Sequence, residues 1–305
     1  MYTQYRKTEA HPEQTLDCEA HLAIGETGKE ITMAEAITKN VGQVWWNAAN
    51  APWNLHHEPF RVAPHVYYVG NTWVGAYLLD GGDELALIDT TTFEDYYQVL
   101  EGVWELGFDA RKIKKILLSH CHVDHVGGVN QQKRISGAET WLSQADSVFM
   151  DHPANRGTDG MFKNPEFPVD HLYDDGAFIP VGALKVRTRL SPGHTPGTTS
   201  FFIEDRDEQG NTLIVAMHGG VGTNTMSDEY FEQSGLDKAL RRQFIDGCEA
   251  MKSIHVDISV PSHPAHGDLF QRLGPDPMDY KPLVDASEWA RFLEIRKNFA
   301  LDLEK

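Results

Sequence analysis

Basic residues are scarce: 27 lysines and arginines stand against 45 aspartates and glutamates, a formal net charge of −18. Phosphate backbones are bound through clustered cations that displace counterions, and an acidic surface repels them. Nucleic acid and anionic membrane are therefore excluded as expected partners. Cysteine is equally sparse. Cys18, Cys121 and Cys248 are widely spaced and odd in number, which argues against a disulfide framework and for three reduced, structurally ordinary thiols. No apolar run approaches the roughly 18 residues of a membrane span. Residues 1–10 are polar and lack the apolar stretch of a secretory signal. As it stands the sequence reads as cytoplasmic; a chain from which an export signal had been removed, periplasmic or secreted, would read the same. Internal repeats, low-complexity tracts and interdomain linkers are missing, and nothing speaks to oligomeric state.

Hydrophobic residues make up 41% of the 305, an ordinary globular share that supplies a sizeable core. Residues 1–55 read as an irregular N-terminal extension, with a helix-like stretch at 32–44 and an aromatic patch of Trp45, Trp46 and Trp53 that is a candidate pocket wall. From there to residue 305 the pattern is that of one catalytic domain. Strands are expected at 65–69, 73–79, 84–89 and 114–118, and a helix where Tyr96, Val99, Leu100, Val103 and Trp104 recur at helical spacing before Gly107. Residues 151–176, rich in Pro, Gly, Asn and Asp, read as a long exposed loop. Strands follow at 184–190, 198–203, 212–217 and 256–260, with helices at 235–251 and around Trp289, Phe292, Leu293, Arg296 and Phe299. Groups of strands each followed by a helix imply sheets covered by helices.

The chemistry gathers at His120-Cys121-His122-Val123-Asp124-His125, directly after an expected strand. On an extended strand end alternate side chains share a face, so His120, His122 and Asp124 are expected to converge while His125 points towards a neighbouring site. Cys121, between them, is expected to pack inward. Imidazoles with one carboxylate suit zinc. Two further loops present single histidines on backbones stiffened by proline and glycine: Ser191-Pro192-Gly193-His194-Thr195-Pro196-Gly197 and Pro261-Ser262-His263-Pro264. Together the six side chains make a plausible two-metal set, with a small molecule as the expected substrate.

The HxHxDH run, the GHTPG loop and the late His-Pro resemble the signature of the metallo-β-lactamase superfamily. A finer likeness, carried by Glu58-Pro59-Phe60, residues 65–70 and Asp257, is to the third subclass of metallo-β-lactamases. That resemblance implies an α+β fold, a four-layer αββα sandwich with the metals at one edge of its sheets. It implies two Zn2+ ions, the first held by His120, His122 and His194, the second by Asp124, His125 and His263. Asp89 would orient the ligand loop, and Asp124 would double as the catalytic carboxylate. The implied reaction is attack by a zinc-bound hydroxide on a cyclic amide of the β-lactam kind. A lactone, thioester or other amide is the alternative, ahead of an iron-dependent oxygenase or a non-catalytic metal-binding role. Many relatives outside the lactamases carry a metal-bridging aspartate after the strand at 212–217; here the place reads Ala216-Met217-His218-Gly219-Gly220. The serines that many third-subclass members place nearby are also missing, which leaves His218 and Thr223 as candidates for substrate contact.

Overall fold

The structure, a computed structural model, describes residues 23–24, 30–31, 33–155 and 164–305. The chain divides into two compact units, Met1–Gln43 and Val44–Lys305. The first contains a short antiparallel pairing of β1 (Ala23–Ile24) with β2 (Glu30–Ile31). Helix α1 (Met33–Asn50) runs on from residue 33, longer than the stretch expected at 32–44.

The second unit is built on two sheets. One has seven strands in sequential order: β3 (Phe60–Ala63), β4 (Val66–Tyr68), β5 (Tyr77–Asp80), β6 (Leu85–Ile88), β7 (Ile113–Leu117), β8 (Glu139–Ser143) and β9 (His171–Tyr173). The other has five: β10 (Phe178–Val181), β11 (Leu184–Leu190), β12 (Thr199–Arg206), β13 (Thr212–His218) and β14 (Ile258–Pro261). Strands β6 to β9 pair in parallel, as do β13 and β14, and the remaining neighbours are antiparallel.

Period-two alternation sorts each strand between two cores. In β6, Ala86 and Ile88 face the other sheet, where they join Leu79, Leu117, Phe201, Val215 and Val260. Leu85 and Leu87 point outward to Tyr96, Val99 and Val103 of α2 (Tyr96–Glu105) and Val129 of α4 (Val129–Ser136). On the far side Phe202 and Ala216 meet Phe244 and Cys248 of α7 (Ala239–Met251) and Trp289 and Phe292 of α8 (Glu288–Asp302). Helices, sheet, sheet, helices: the fold is the expected αββα sandwich. Because both faces of each sheet are covered, all four residues of β6 are buried, which explains why that strand reads as an unbroken apolar run.

Several local expectations need correction. The strand expected at 73–79 begins only at Tyr77, because Asn71 Oδ1 accepts from the backbone of Trp73 and Val74 at 2.9 and 2.8 Å and curls that segment into a loop. The loop at 151–176 contains β9, paired in parallel with β8; its residues 156–163, like Cys18, lie outside the described residues. The helix expected from residue 235 starts at Ala239. Gly235, at φ 72°, instead closes a separate short helix α6 (Asp228–Ser234), since only glycine takes that conformation without penalty. Among the described residues no helix is long and apolar enough to cross a membrane.

Candidate metal centre

The chain leaves β6, β7, β11 and β14 at the same edge of the sandwich, and the expected site residues stand on the turns that follow. After β7, His122 is the extended residue that precedes α3 (Val123–Val126), so Asp124 and His125 sit on a helical turn. The strand-like alternation expected for His120, His122 and Asp124 therefore does not hold. His120 and His122 meet His194 across from them; Asp124 turns away to join His125 and His263. Within each trio the three candidate ligand atoms all lie within 4.8 Å of one another. The trios abut, the His120 and His125 rings being 4.1 Å apart between centroids.

The outer nitrogen of four of the histidines is fixed by a neighbour, which decides where the inner lone pair points. His194 Nδ1 donates to the Gly222 carbonyl at 2.9 Å, and His263 Nδ1 to that of Trp73 at 2.7 Å. His125 Nδ1 donates to Asp89 Oδ2 at 2.8 Å. The Ser119 hydroxyl donates to the same carboxylate oxygen at 2.7 Å and accepts from His120 Nδ1 at 3.1 Å. One buried aspartate thus orients a histidine of each trio, directly in one and through a serine in the other. Asp89 reaches this position by taking a left-handed φ of 60° at the end of β6, a region that aspartate tolerates better than most side chains.

With Nδ1 protonated and the ring neutral, His120, His194 and His263 each turn a bare Nε2 inward. His125 Nε2 and His263 Nε2 face each other at 3.2 Å, and His194 Nε2 faces His122 Nδ1 at 3.0 Å. Each pair is close enough to share a proton, and the same nitrogens can bind a cation once that proton leaves. His120 Nε2 is buried with no partner, which costs free energy unless something binds it. A cation gives His120 Nε2 its partner, and three imidazoles beside a two-imidazole, one-carboxylate set is a donor chemistry that fits zinc.

Charge states agree. Burial holds the His120 and His194 imidazoles well below their ordinary pKa, and takes His122 and His263 down to about 4. Burial acts the same way on His125 but is outweighed by the Asp124 and Asp89 carboxylates, so its pKa is raised. Burial opposes ionisation of Asp124 as well, yet the surrounding histidines, His125 first, lower its pKa. Four of the five rings are thus neutral at physiological pH, the state a metal requires.

The segment after β13 packs onto this centre. A Cβ at Gly220 would lie 2.8 Å from the His194 ring, and one at Gly219 would meet the Thr199 carbonyl at 2.1 Å. Backbone lies where side chains would otherwise stand, so neither an aspartate nor a serine fits at Gly219 without rearrangement. Thr225 donates from its hydroxyl to the His194 carbonyl at 2.8 Å, a support that sequence reading overlooked. His218 is in neither trio. It is buried, accepts from Gly220 N at 3.3 Å and packs beside Phe244 of α7. Thr223 opens a half-buried turn at Thr223–Met226. Cys121 is buried in the core against the outer helices, and it and Cys248 are free thiols. Of the three tryptophans, Trp46 and Trp53 are largely exposed. Trp45 packs edge-on against Trp73 at 4.7 Å, and Trp73 lies 6.0 Å from the His263 ring.

Residues 74–208 match the family model described as the metallo-β-lactamase superfamily. The chain carries a metallo-β-lactamase superfamily domain. Among curated proteins it is 26% identical to the probable metallo-hydrolase YqgX of Bacillus subtilis, over 50% of this chain and 71% of that one. It is 31% identical to the hydroxyacylglutathione hydrolase GloC of Haemophilus influenzae, over 36% of this chain and 53% of that one. The solved metallo-β-lactamase GOB-18 of Elizabethkingia meningoseptica is similar at 26% identity and a TM-score of 0.72, with 83% of this chain and 94% of that one covered. The likeness in fold extends to subclass B3 metallo-β-lactamases. The superfamily domain makes this chain a metal-dependent hydrolase.

Asp89→Asn tests the shared orienting carboxylate. Removing its charge is expected to cost about 10–100-fold in metal affinity or activity, as loss of a ligand's hydrogen-bond partner does elsewhere. Zinc titration against a competing chelator reads it directly; wild-type affinity in a folded variant would remove Asp89 from the site.

Proposed function

We propose that the chain is a di-zinc hydrolase that opens a cyclic amide of the β-lactam kind. The observation that carries the reading is the pair of abutting trios whose ring nitrogens face one another, in a domain similar to GOB-18 over nearly all of that enzyme. In this reading His120, His122 and His194 hold one zinc, and Asp124, His125 and His263 the other. Zinc bound there lowers the pKa of a water to about 7 and polarises a carbonyl oxygen. The chain's own residues do the rest. Asp89 fixes His120 and His125, and Asp124 orients the attacking water and holds the proton it gives up on its carboxylate. Trp73, with Trp45 and Val123 beside it, forms an apolar shelf next to His263 that holds the substrate's side group and keeps bulk water away. Residues 56–305 form the catalytic domain in this proposal, and residues 1–55 an extension.

The test is hydrolysis of a chromogenic cephalosporin by zinc-loaded protein, with and without a chelator. Fast, chelator-sensitive turnover is expected. A thioester or lactone substrate is the second reading. It is favoured by the likeness to a hydroxyacylglutathione hydrolase and by a glycine-rich segment at 219–222 that offers no serine to a substrate carboxylate. Two bound zinc ions without cephalosporin turnover would select it.

A further inference from the structure

Ser143 caps α5 (Gln144–Phe149), and Asp146 stands in the first turn of that helix, outside both trios. Asp146 is fully buried. Its Oδ2 accepts from the backbone N–H of Cys121 at 2.9 Å and from the Thr195 hydroxyl at 2.8 Å, and its Oδ1 accepts from Gly197 N–H at 2.6 Å. Cys121 is the residue between His120 and His122; Thr195 follows His194. Ser143 completes the clasp by donating from its hydroxyl to the Gly197 carbonyl at 2.8 Å. The seat is cut to fit: a Cβ at Gly197 would lie 2.2 Å from Ser143 Oγ and 2.7 Å from Asp146 Oδ1. Burial pushes the Asp146 carboxyl up to about 6 against the pull of its donors, so it is still ionised at neutral pH and takes all three as charge-assisted bonds.

We infer that Asp146 is a positioning residue for the first metal alone: it ties the two loops that carry His120, His122 and His194 into one rigid ligand set. The inference rests on the di-zinc reading above. Asp89 is built the other way round, touching His125 directly and His120 only through Ser119. Asp89 therefore serves both trios, and Asp146 serves the three-histidine set alone. Asparagine at 146 keeps the shape but has one acceptor oxygen, and its NH2 must face either Gly197 N–H or the pair on Oδ2. Donor against donor pushes one loop away from the other.

The experiment is zinc titration of the full chain against a chromogenic chelator, resolved into two steps, for wild type, Asp146→Asn, Thr195→Val and Asp89→Asn. Asp146→Asn is expected to weaken one step about 10–100-fold and leave the other within twofold. Thr195→Val, which removes a single bond, weakens the same step by less. Asp89→Asn, which loses contacts to both trios, weakens both steps. Cobalt in place of zinc supplies a second readout, since distortion of the three-histidine set alters that ion's absorption bands and leaves those of the other ion unchanged. Equal weakening of both steps by Asp146→Asn, or no weakening in folded Asp146→Asn and Thr195→Val, overturns the inference while the di-zinc reading stands. A wild-type chain that takes up no zinc overturns both. If Asp146→Asn does not fold, the Thr195→Val titration decides.

Discussion

Asp124→Ala is expected to lower kcat by about a thousandfold, within the range of about 10²–10⁴ that a positioned acid–base group supplies, and to leave one tightly held zinc per chain. The carboxylate's Oδ2 lies 3.5 Å from His125 Nε2 and 3.4 Å from His263 Nε2. It is the only anionic donor in either trio. Without it the second metal keeps two imidazoles, and the attacking water loses the group that orients it. His120 and His194 keep their own supports, because Ser119 and the Gly222 carbonyl hold them without involving Asp124. Loss should therefore fall on kcat and on the second zinc, with KM changing little. Asp124→Asn, which keeps a weaker oxygen ligand and removes the charge, should fall between the two. Turnover within threefold of wild type in the alanine variant would end the assignment of Asp124 to the reaction. A variant that loses both metals together would mean that the trios are one cooperative site.

Much of this was legible in the sequence, for reasons that differ by residue. The strand 184–190 is found as expected because β11 alternates buried and exposed side chains along its length, so period two is written in its composition. The six candidate ligands were legible because histidine and aspartate packed within six residues, and single histidines framed by proline and glycine, have few structural uses. What strand periodicity alone did not give was their grouping, which the family resemblance implied and the two trios match. Whether Asp124 sits with His120 or with His263 depends on the chain turning helical at Val123, and a four-residue helix carries no periodicity to read. Asp146 was equally hidden. Its partners are two backbone N–H groups and a hydroxyl contributed by segments 25 to 51 residues away, and no local motif records such contacts. Strand β9 was missed inside a stretch rich in proline and aspartate, because its three residues gain their regularity from pairing with β8 and not from their own propensities. The lack of an aspartate between Ala216 and Gly220 was visible in the sequence, Gly219 included. Only the structure gives its physical basis, a backbone that passes too close to the Thr199 carbonyl for any side chain.

Stripping metal from the wild-type chain is expected to abolish hydrolysis and to lower the melting temperature by on the order of 10 °C. Anything bound to the folded state alone stabilises it by about 4 kcal/mol when present at a thousand times its dissociation constant. For a domain of this size each kilocalorie moves the midpoint by roughly 2–4 °C. The structural cause is local. Without a cation, His120 Nε2 has no partner in a buried position, and the inner nitrogens of His125 and His263 have only each other and the Asp124 carboxylate to meet. That frustration sits on the turns after β7 and β14, so the loss of stability should appear there first. Hydrogen exchange in residues 119–126 and 262–266 should accelerate on chelation, while the buried strand β6, all four of whose residues are inaccessible, stays protected. Returning two equivalents of zinc should restore both the midpoint and the activity. A metal-free chain with an unchanged midpoint and unchanged exchange would show that the six side chains are at rest without a metal, and the di-zinc reading would fall with them.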